Sequence, residues 1–379
     1  MSIFISSVLR WLAPSALVAG ITLATTPASA LITTVHPADA LLAPGQWSGV
    51  GQLFEQRGAQ QRAGCTATLL SSGRHVLTAA HCLAAPSAEV RFETAAAPVT
   101  ARVTQRHLHP NAEGNDLAVL ELDRVVDASV ERHDIYRARD EVGREFFKAA
   151  YGSVGTGETG QIGVDNLKRG GGNRFEADFA RFLAQTGLTE VGASYAPFAE
   201  GPLAFVPEAY LMFDFDDGTA AGDAFGLHFG WHDRGLGARE INTGQRDSGS
   251  PAFLDGRIAG VTSFGFSDLG IFGGGQFADR LTFEVTSLDE VRAELGDSLF
   301  DVFDQFFDDI GIVDRLGAFN NLLSTDSSFG EFAAEARVSV AADWIDGIVG
   351  RPLPEPGSAA LALLGLALAL RSWQGRGRA

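Results

Sequence analysis

Cys65-Thr-Ala-Thr-Leu-Leu-Ser-Ser-Gly-Arg-His-Val-Leu-Thr-Ala-Ala-His81-Cys82 is the most informative stretch of this chain. Two short β-branched and apolar runs, Thr66–Leu70 and Val76–Thr78, flank the turn Ser71-Ser72-Gly73, which reads as an antiparallel hairpin. The hairpin brings Cys65 and Cys82 near each other, so a disulfide can fix the turn that carries His81. A lone histidine is more often structural than catalytic, so His81 needs further marks elsewhere in the chain.

Working outward, the same β signal recurs at Val90–Phe92, Leu117–Leu122, Ala209–Phe213 and Ile258–Phe264. Gly170-Gly171-Gly172 and Gly273-Gly274-Gly275 read as turns, and there is no internal repeat. No phosphate-cradling GxxxxGK[ST] and no GxGxxG after a strand is present. With 379 residues, 45% hydrophobic and 20% charged, the chain is a globular body with a sizeable core rather than a disordered chain or coiled coil. Its formal charge of −18, with Lys148 and Lys168 the only lysines, repels phosphate backbones, so no nucleic-acid partner is expected. Two cysteines exclude a disulfide-framework mini-protein and a four-cysteine zinc site.

The two ends read as addresses. Residues 1–30 form a secretory signal: Arg10 is followed by an apolar stretch from Trp11 to Leu23, then by the small-x-small cleavage site Ala28-Ser29-Ala30. Export places the cysteines where they can oxidise. In 351–379, Pro354-Glu355-Pro356 precedes an uncharged Ala/Leu-rich run, Gly357 to Leu370, and Arg371, Arg376 and Arg378 close the chain. This order resembles a PEP-CTERM sorting signal, with a short apolar transmembrane helix. It implies transient inner-membrane anchoring, cutting by a membrane sorting peptidase, and a final place in the cell envelope, at the surface or outside.

Leu77-Thr78-Ala79-Ala80-His81-Cys82 resembles the catalytic-histidine motif of the chymotrypsin/trypsin-like serine peptidases. Two further segments fit the resemblance. Asn115-Asp116-Leu117 leads an aspartate into an apolar strand, and Arg246-Asp247-Ser248-Gly249-Ser250-Pro251 resembles the segment around the family's nucleophile. The chain order His, Asp, Ser is the family's own. The resemblance therefore implies an all-β fold of two six-stranded antiparallel barrels with a C-terminal helix, here with a helical, acidic extension. It also implies a secreted serine endopeptidase with His81, Asp116 and Ser248 as the catalytic set and the Arg246 and Ser248 N–H groups as an oxyanion hole. Protein or peptide is the substrate, the chain is a monomer, and no cofactor or metal is expected.

Further matches are positional. Gly260–Gly265 resembles the strand that pairs with substrate, which assigns Ser263, Phe264 and Gly265 to substrate binding; Asn242 falls at the base of the specificity pocket. Leu281–Thr286 resembles the last strand and Ser287–Leu295 the closing helix, so the peptidase domain is expected over 31–296. Residues 297–350 then form an extension and linker, in which Leu299, Phe300, Phe303, Phe306, Phe307, Ile310 and Val313 recur at helical spacing. Arg246 stands where the family has glycine, and no familiar activation motif is visible. Those two departures support an alternative, a protease-fold scaffold with weak or no catalysis. A freed amine at Leu31 or at a later cut, or another residue, has to neutralise Asp247. Asp214, Asp216, Asp217 and Asp223 offer oxygens of the kind calcium takes, but an acidic hairpin turn is the preferred reading. His228 and His232 read as solvated histidines.

Overall fold

The computed structural model describes residues 31–57, 60–83, 86–112, 114–186, 206–266, 288 and 327–350. The signal segment, the sorting tail and the Phe-rich stretch 299–313 lie outside them. So do Gly273–Gly275, Leu281–Thr286 and, apart from Leu288, the expected closing helix.

β1 (Ile32–Thr33) joins the second sheet; β2 (Val50–Arg57) begins the first. With β3 (Gln60–Leu69), β4 (His75–Thr78), β5 (Ser87–Phe92), β6 (Val99–Leu108) and β7 (Ala118–Leu122), it closes an antiparallel barrel in the order β2-β3-β4-β7-β6-β5. Closure leaves no sheet edge, and the apolar residues that alternate along these strands, among them Leu53, Ala67, Leu69, Val76, Val90, Phe92, Leu120 and Leu122, are buried. The quoted hairpin is here as read: Thr68 pairs with Leu77 and Leu69 with Val76.

The second sheet holds nine strands among the described residues. They are β1, β8 (Glu145–Thr156), β9 (Gly160–Arg174), β10 (Ala177–Asp178), β11 (Tyr210–Asp214), β12 (Ile241–Asn242), β13 (Pro251–Leu254), β14 (Arg257–Phe266) and β15 (Phe332–Arg337). Their order is β10-β11-β15-β14-β13-β8-β1-β12, with β9 also paired to β8. Helix α1 (Phe179–Thr186) follows β10, α2 (Ala224–Phe229) follows β11, and α3 (Ala342–Val349) follows β15. Trp47 joins the two sheets by stacking on Phe147 at 4.7 Å and Phe253 at 4.4 Å; such pairs add about 0.5–1.5 kcal/mol each beyond their buried area.

Two expectations change. The strand beside β14 is β15, and the helix that follows it is α3, so residues expected to be extension and linker form part of the sheet. Phe332, Ala333, Ala334 and Ala336 are buried there, and small side chains let β15 lie between β11 and β14. Gly170-Gly171-Gly172 is not a turn but part of β9. A Cβ on Gly170 would meet the Phe147 ring at 2.4 Å and one on Gly171 would meet Ile241 at 2.2 Å, so close packing explains these glycines.

Candidate active site

His81 lies in a short 3-10 turn directly after β4, and Asp116 lies two residues before β7. Because β4 and β7 are paired neighbours, with Thr78 opposite Ala118, the ends of the two strands deliver both side chains to one place. The Ala80 N–H donates to the Asp116 carbonyl at 3.2 Å, the His81 N–H to Asp116 Oδ1 at 2.9 Å, and His81 Nδ1 lies 2.7 Å from Asp116 Oδ2. A carboxylate only accepts, so Nδ1 carries the proton and Nε2 is left as the base. The Cys65–Cys82 disulfide, Cα–Cα 6.1 Å, ties the His81 turn to β3. Burial pulls His81 down, but the charge and hydrogen bond of Asp116 outweigh it and set the imidazole above its ordinary value.

Two residues join this set without having been read as part of it. The Ser263 hydroxyl donates to Asp116 Oδ2, although the sequence assigned Ser263 only to substrate. The buried Tyr210 hydroxyl is hydrogen-bonded to Ser263 and to the Asp116 backbone; burial and then the Asp116 charge push it well above the ordinary phenol range. Both sit on the second sheet, so the Asp116 carboxylate bridges the two sheets. No local motif marks Tyr210; only the approach of β11 to the barrel brings it there.

Ser248 lies in the turn 244–250 between β12 and β13. The Thr66 N–H donates to the Ser248 carbonyl at 2.8 Å, Gly249 N–H to Thr262 at 3.0 Å, and Thr262 N–H to Ser250 at 2.9 Å. Gly249 has φ +79°, and a Cβ there would strike the Thr66 carbonyl and Thr78 Oγ1 at 2.2 Å. Only glycine lets this turn press onto the backbone that leads from Thr78 to His81. The half-buried Arg246 also has positive φ, +69°, a region in which a side chain costs about 1–2 kcal/mol.

Asp247 is fully buried. Its Oδ2 accepts the Gly244 N–H at 2.8 Å, while Oδ1 has no hydrogen-bond partner. Burial pushes the carboxyl up to about 8, against the Gly244 N–H, the Lys148 charge and the Leu31 backbone N–H, which faces it. Beneath the same turn, Lys148 Nζ lies 2.8 Å from Glu335 Oε1 and also donates to Ser250 and Thr262. Lys148 and Lys168, the only two lysines, are both buried.

Asn242 is buried in β12, opposite Ile32, and its Oδ1 accepts the Thr243 N–H. Phe264 and Gly265 pair with Ala334 and Ala333 of β15, past Val261, where the pairing of β14 with β13 stops. A cavity of about 490 Å³ against the second sheet is lined by Trp47, Phe147, Phe253, Gly171 and Glu240 and takes in none of His81, Asp116 or Ser248. The acidic stretch differs from an exposed turn: Asp217 to Gly222 makes the turn, while Asp214, Asp216 and Asp223 are buried. Asp223 caps α2, and His232 Nδ1 sits 3.3 Å from its Oδ2.

Residues 43–181 match the Trypsin family. The match spans the closed barrel, β8, β9 and β10; it includes His81 and Asp116 and ends before Ser248. Among solved structures, neuropsin, a serine protease expressed in the limbic system of mouse brain, is similar at 15% identity and TM-score 0.47, covering 82% of this chain and 97% of that one. A structure described as HBP is similar at 16% identity and TM-score 0.45, with 84% and 98% covered. No curated protein matches.

Proposed function

We propose that the protein is a secreted serine endopeptidase that cleaves peptide bonds through an acyl-enzyme on Ser248. The observation that carries this reading is the His81–Asp116–Ser263 hydrogen-bonded set, with the Ser248 turn seated on the same Thr66–Thr78 backbone. A serine hydroxyl is a weak nucleophile at neutral pH and needs an adjacent base. His81 Nε2 takes the Ser248 proton as Oγ bonds to the scissile carbonyl carbon, and then gives that proton to the departing amine as the C–N bond breaks. Water enters by the same route, and the acyl–oxygen bond breaks to release the acid. Asp116 holds the tautomer and stabilises the imidazolium. The N–H groups of Arg246 and Ser248 are assigned to the developing oxyanion, where a lost donor costs about 3–4 kcal/mol. Ser263 to Gly265 are assigned to an extended substrate backbone.

Cleavage after Ala30 turns the buried Leu31 N–H, already facing Asp247, into an ammonium. Such a group supplies charge to Asp247 and a donor to its unpartnered Oδ1. On this reading export itself makes the active form. The sorting tail then sets the final location, and deleting 354–379 changes it. The test of activity is labelling by a fluorophosphonate beside Ser248→Ala and His81→Ala. Labelling at Ser248 that requires His81 supports the peptidase. A folded, correctly processed protein that does not label supports the scaffold reading instead.

A further inference from the structure

Glu176, Asp214 and Asp216 meet where β11 leaves the second sheet, on elements that fix them. Glu176 directly precedes β10, and its N–H donates to the Met212 carbonyl at 2.9 Å; Asp214 ends β11, and its carbonyl accepts from Asn173 Nδ2 at 2.7 Å. One carboxylate oxygen from each of the three residues lies within 4.8 Å of the other two. Oxygens held 2.3–2.6 Å from one calcium ion lie at most about 5 Å apart, so the spacing is that of a shared cation.

A second observation is independent of the clustering. Asp214 is 0% exposed and Asp216 1%, yet Asp214 Oδ1, Asp216 Oδ1 and Glu176 Oε2 are buried with no donor on them, and the Glu176 and Asp214 carboxyls have each other as side-chain hydrogen-bond partners. The companion oxygens are occupied: Asp214 Oδ2 accepts the Phe225 N–H at 2.8 Å, and Glu176 Oε1 the Asp214 N–H at 3.3 Å. Buried polar oxygens without partners are uncommon in folded proteins, and three on one carboxylate cluster are what a bound ion would satisfy. The surroundings add negative charge from Asp223, Asp233 and Glu240. Of the basic residues nearest in sequence to Glu176, Arg174 pairs with Asp233 and Glu145, while Arg181 lies over the Trp231 ring and donates to the Glu176 backbone carbonyl at 3.4 Å rather than to its carboxylate. Three carboxylates gathered this closely, two of them fully buried, are the kind of arrangement that a bound cation neutralises. An all-oxygen, all-carboxylate set without histidine or cysteine selects a hard divalent ion.

We propose that Glu176, Asp214 and Asp216 bind one calcium ion at the end of β11, with water completing its coordination. The site is separate from His81 and Ser248 and does not depend on the peptidase reading. The test uses the purified full chain, stripped with EDTA and titrated with calcium chloride and, separately, magnesium chloride by calorimetry, with thermal unfolding alongside. The expected result is one calcium per chain, weaker magnesium binding, and a rise in Tm with calcium as mass action requires. Asp216→Asn and Glu176→Gln should each weaken calcium binding at least tenfold and remove the rise in Tm. Both should keep a metal-free Tm at or above that of the parent, because each removes one crowded charge. Absence of calcium binding to the parent overturns the proposal and leaves protons shared among the carboxyls. Calcium binding that both substitutions leave unchanged also overturns it, by placing the ion elsewhere.

Discussion

Replacing Lys148 by methionine tests what holds the turn under Ser248. Lys148 and Glu335 are both 0% exposed and 2.8 Å apart, with Ser250 and Thr262 completing the network. At an effective dielectric of about 20, two unit charges at that distance attract by about 6 kcal/mol. Removing two ions from water costs several kcal/mol each, so the intact pair adds little net stability. Burial accordingly pulls Lys148 down and pushes Glu335 up, with each charge resisting the shift of the other. Lys148→Met leaves Glu335 uncompensated, and the expected loss is about 3–5 kcal/mol. The double replacement Lys148→Met with Glu335→Leu removes both charges and keeps the Ser250–Thr262 hydroxyl contact at 2.7 Å, so it should lie within about 2 kcal/mol of the parent. Urea unfolding of the parent, both single variants and the double variant gives the coupling directly. Fluorophosphonate labelling should fall in Lys148→Met, because Ser250 and Thr262 frame the nucleophile turn. A single variant that loses less than about 1 kcal/mol, or a double variant whose loss equals the sum of the singles, would refute this account.

Five further outcomes are expected. Labelling at Ser248 needs neutral His81, so its rate should fall on acidification through a midpoint above 6.5, and Asp116→Asn should lower both that midpoint and the rate, the latter by about 10⁴; a pH–rate profile measures both. The same shift makes protonated His81 a stabilising group below its unfolded value, with that stability lost as pH rises through the raised folded value, which urea midpoints against pH will show. Arg246→Gly relieves the left-handed strain but loosens the unfolded chain, so stability should change by no more than about 1 kcal/mol while labelling holds or rises. Replacing Cys65 and Cys82 together by alanine opens a loop of 17 residues and should cost about 3 kcal/mol in thermal or urea unfolding. N-terminal sequencing of the exported protein should read Leu-Ile-Thr from Leu31, and an added residue before it should slow labelling.

The hairpin from Cys65 to Cys82 was legible because its signals are local: β-branched runs, a Ser-Ser-Gly turn and a cysteine at each end of the stretch. Asp116 and the turn around Ser248 were read only through the resemblance of their motifs, and the structure adds that the φ of +79° at Gly249 requires glycine. β15 was not legible. Its run of Phe332, Ala333, Ala334, Glu335, Ala336 and Arg337 has weak strand propensity and is a strand because β11 and β14 flank it. The more β-branched Leu281–Thr286, expected as the last strand, lies outside the described residues.

Spacing and residue type marked four of the six barrel strands and the disulfide pair, because each depends on neighbours a few positions away, and the resemblance of three short motifs offered the residues for catalysis. The packing of two sheets decided the rest. It set Ser263 and Tyr210 on Asp116, Leu31 against Asp247, Lys148 against Glu335, and three carboxylates from two separate segments at one point. These contacts join residues far apart in the chain, and no local pattern marks a charge that is buried only when another strand arrives.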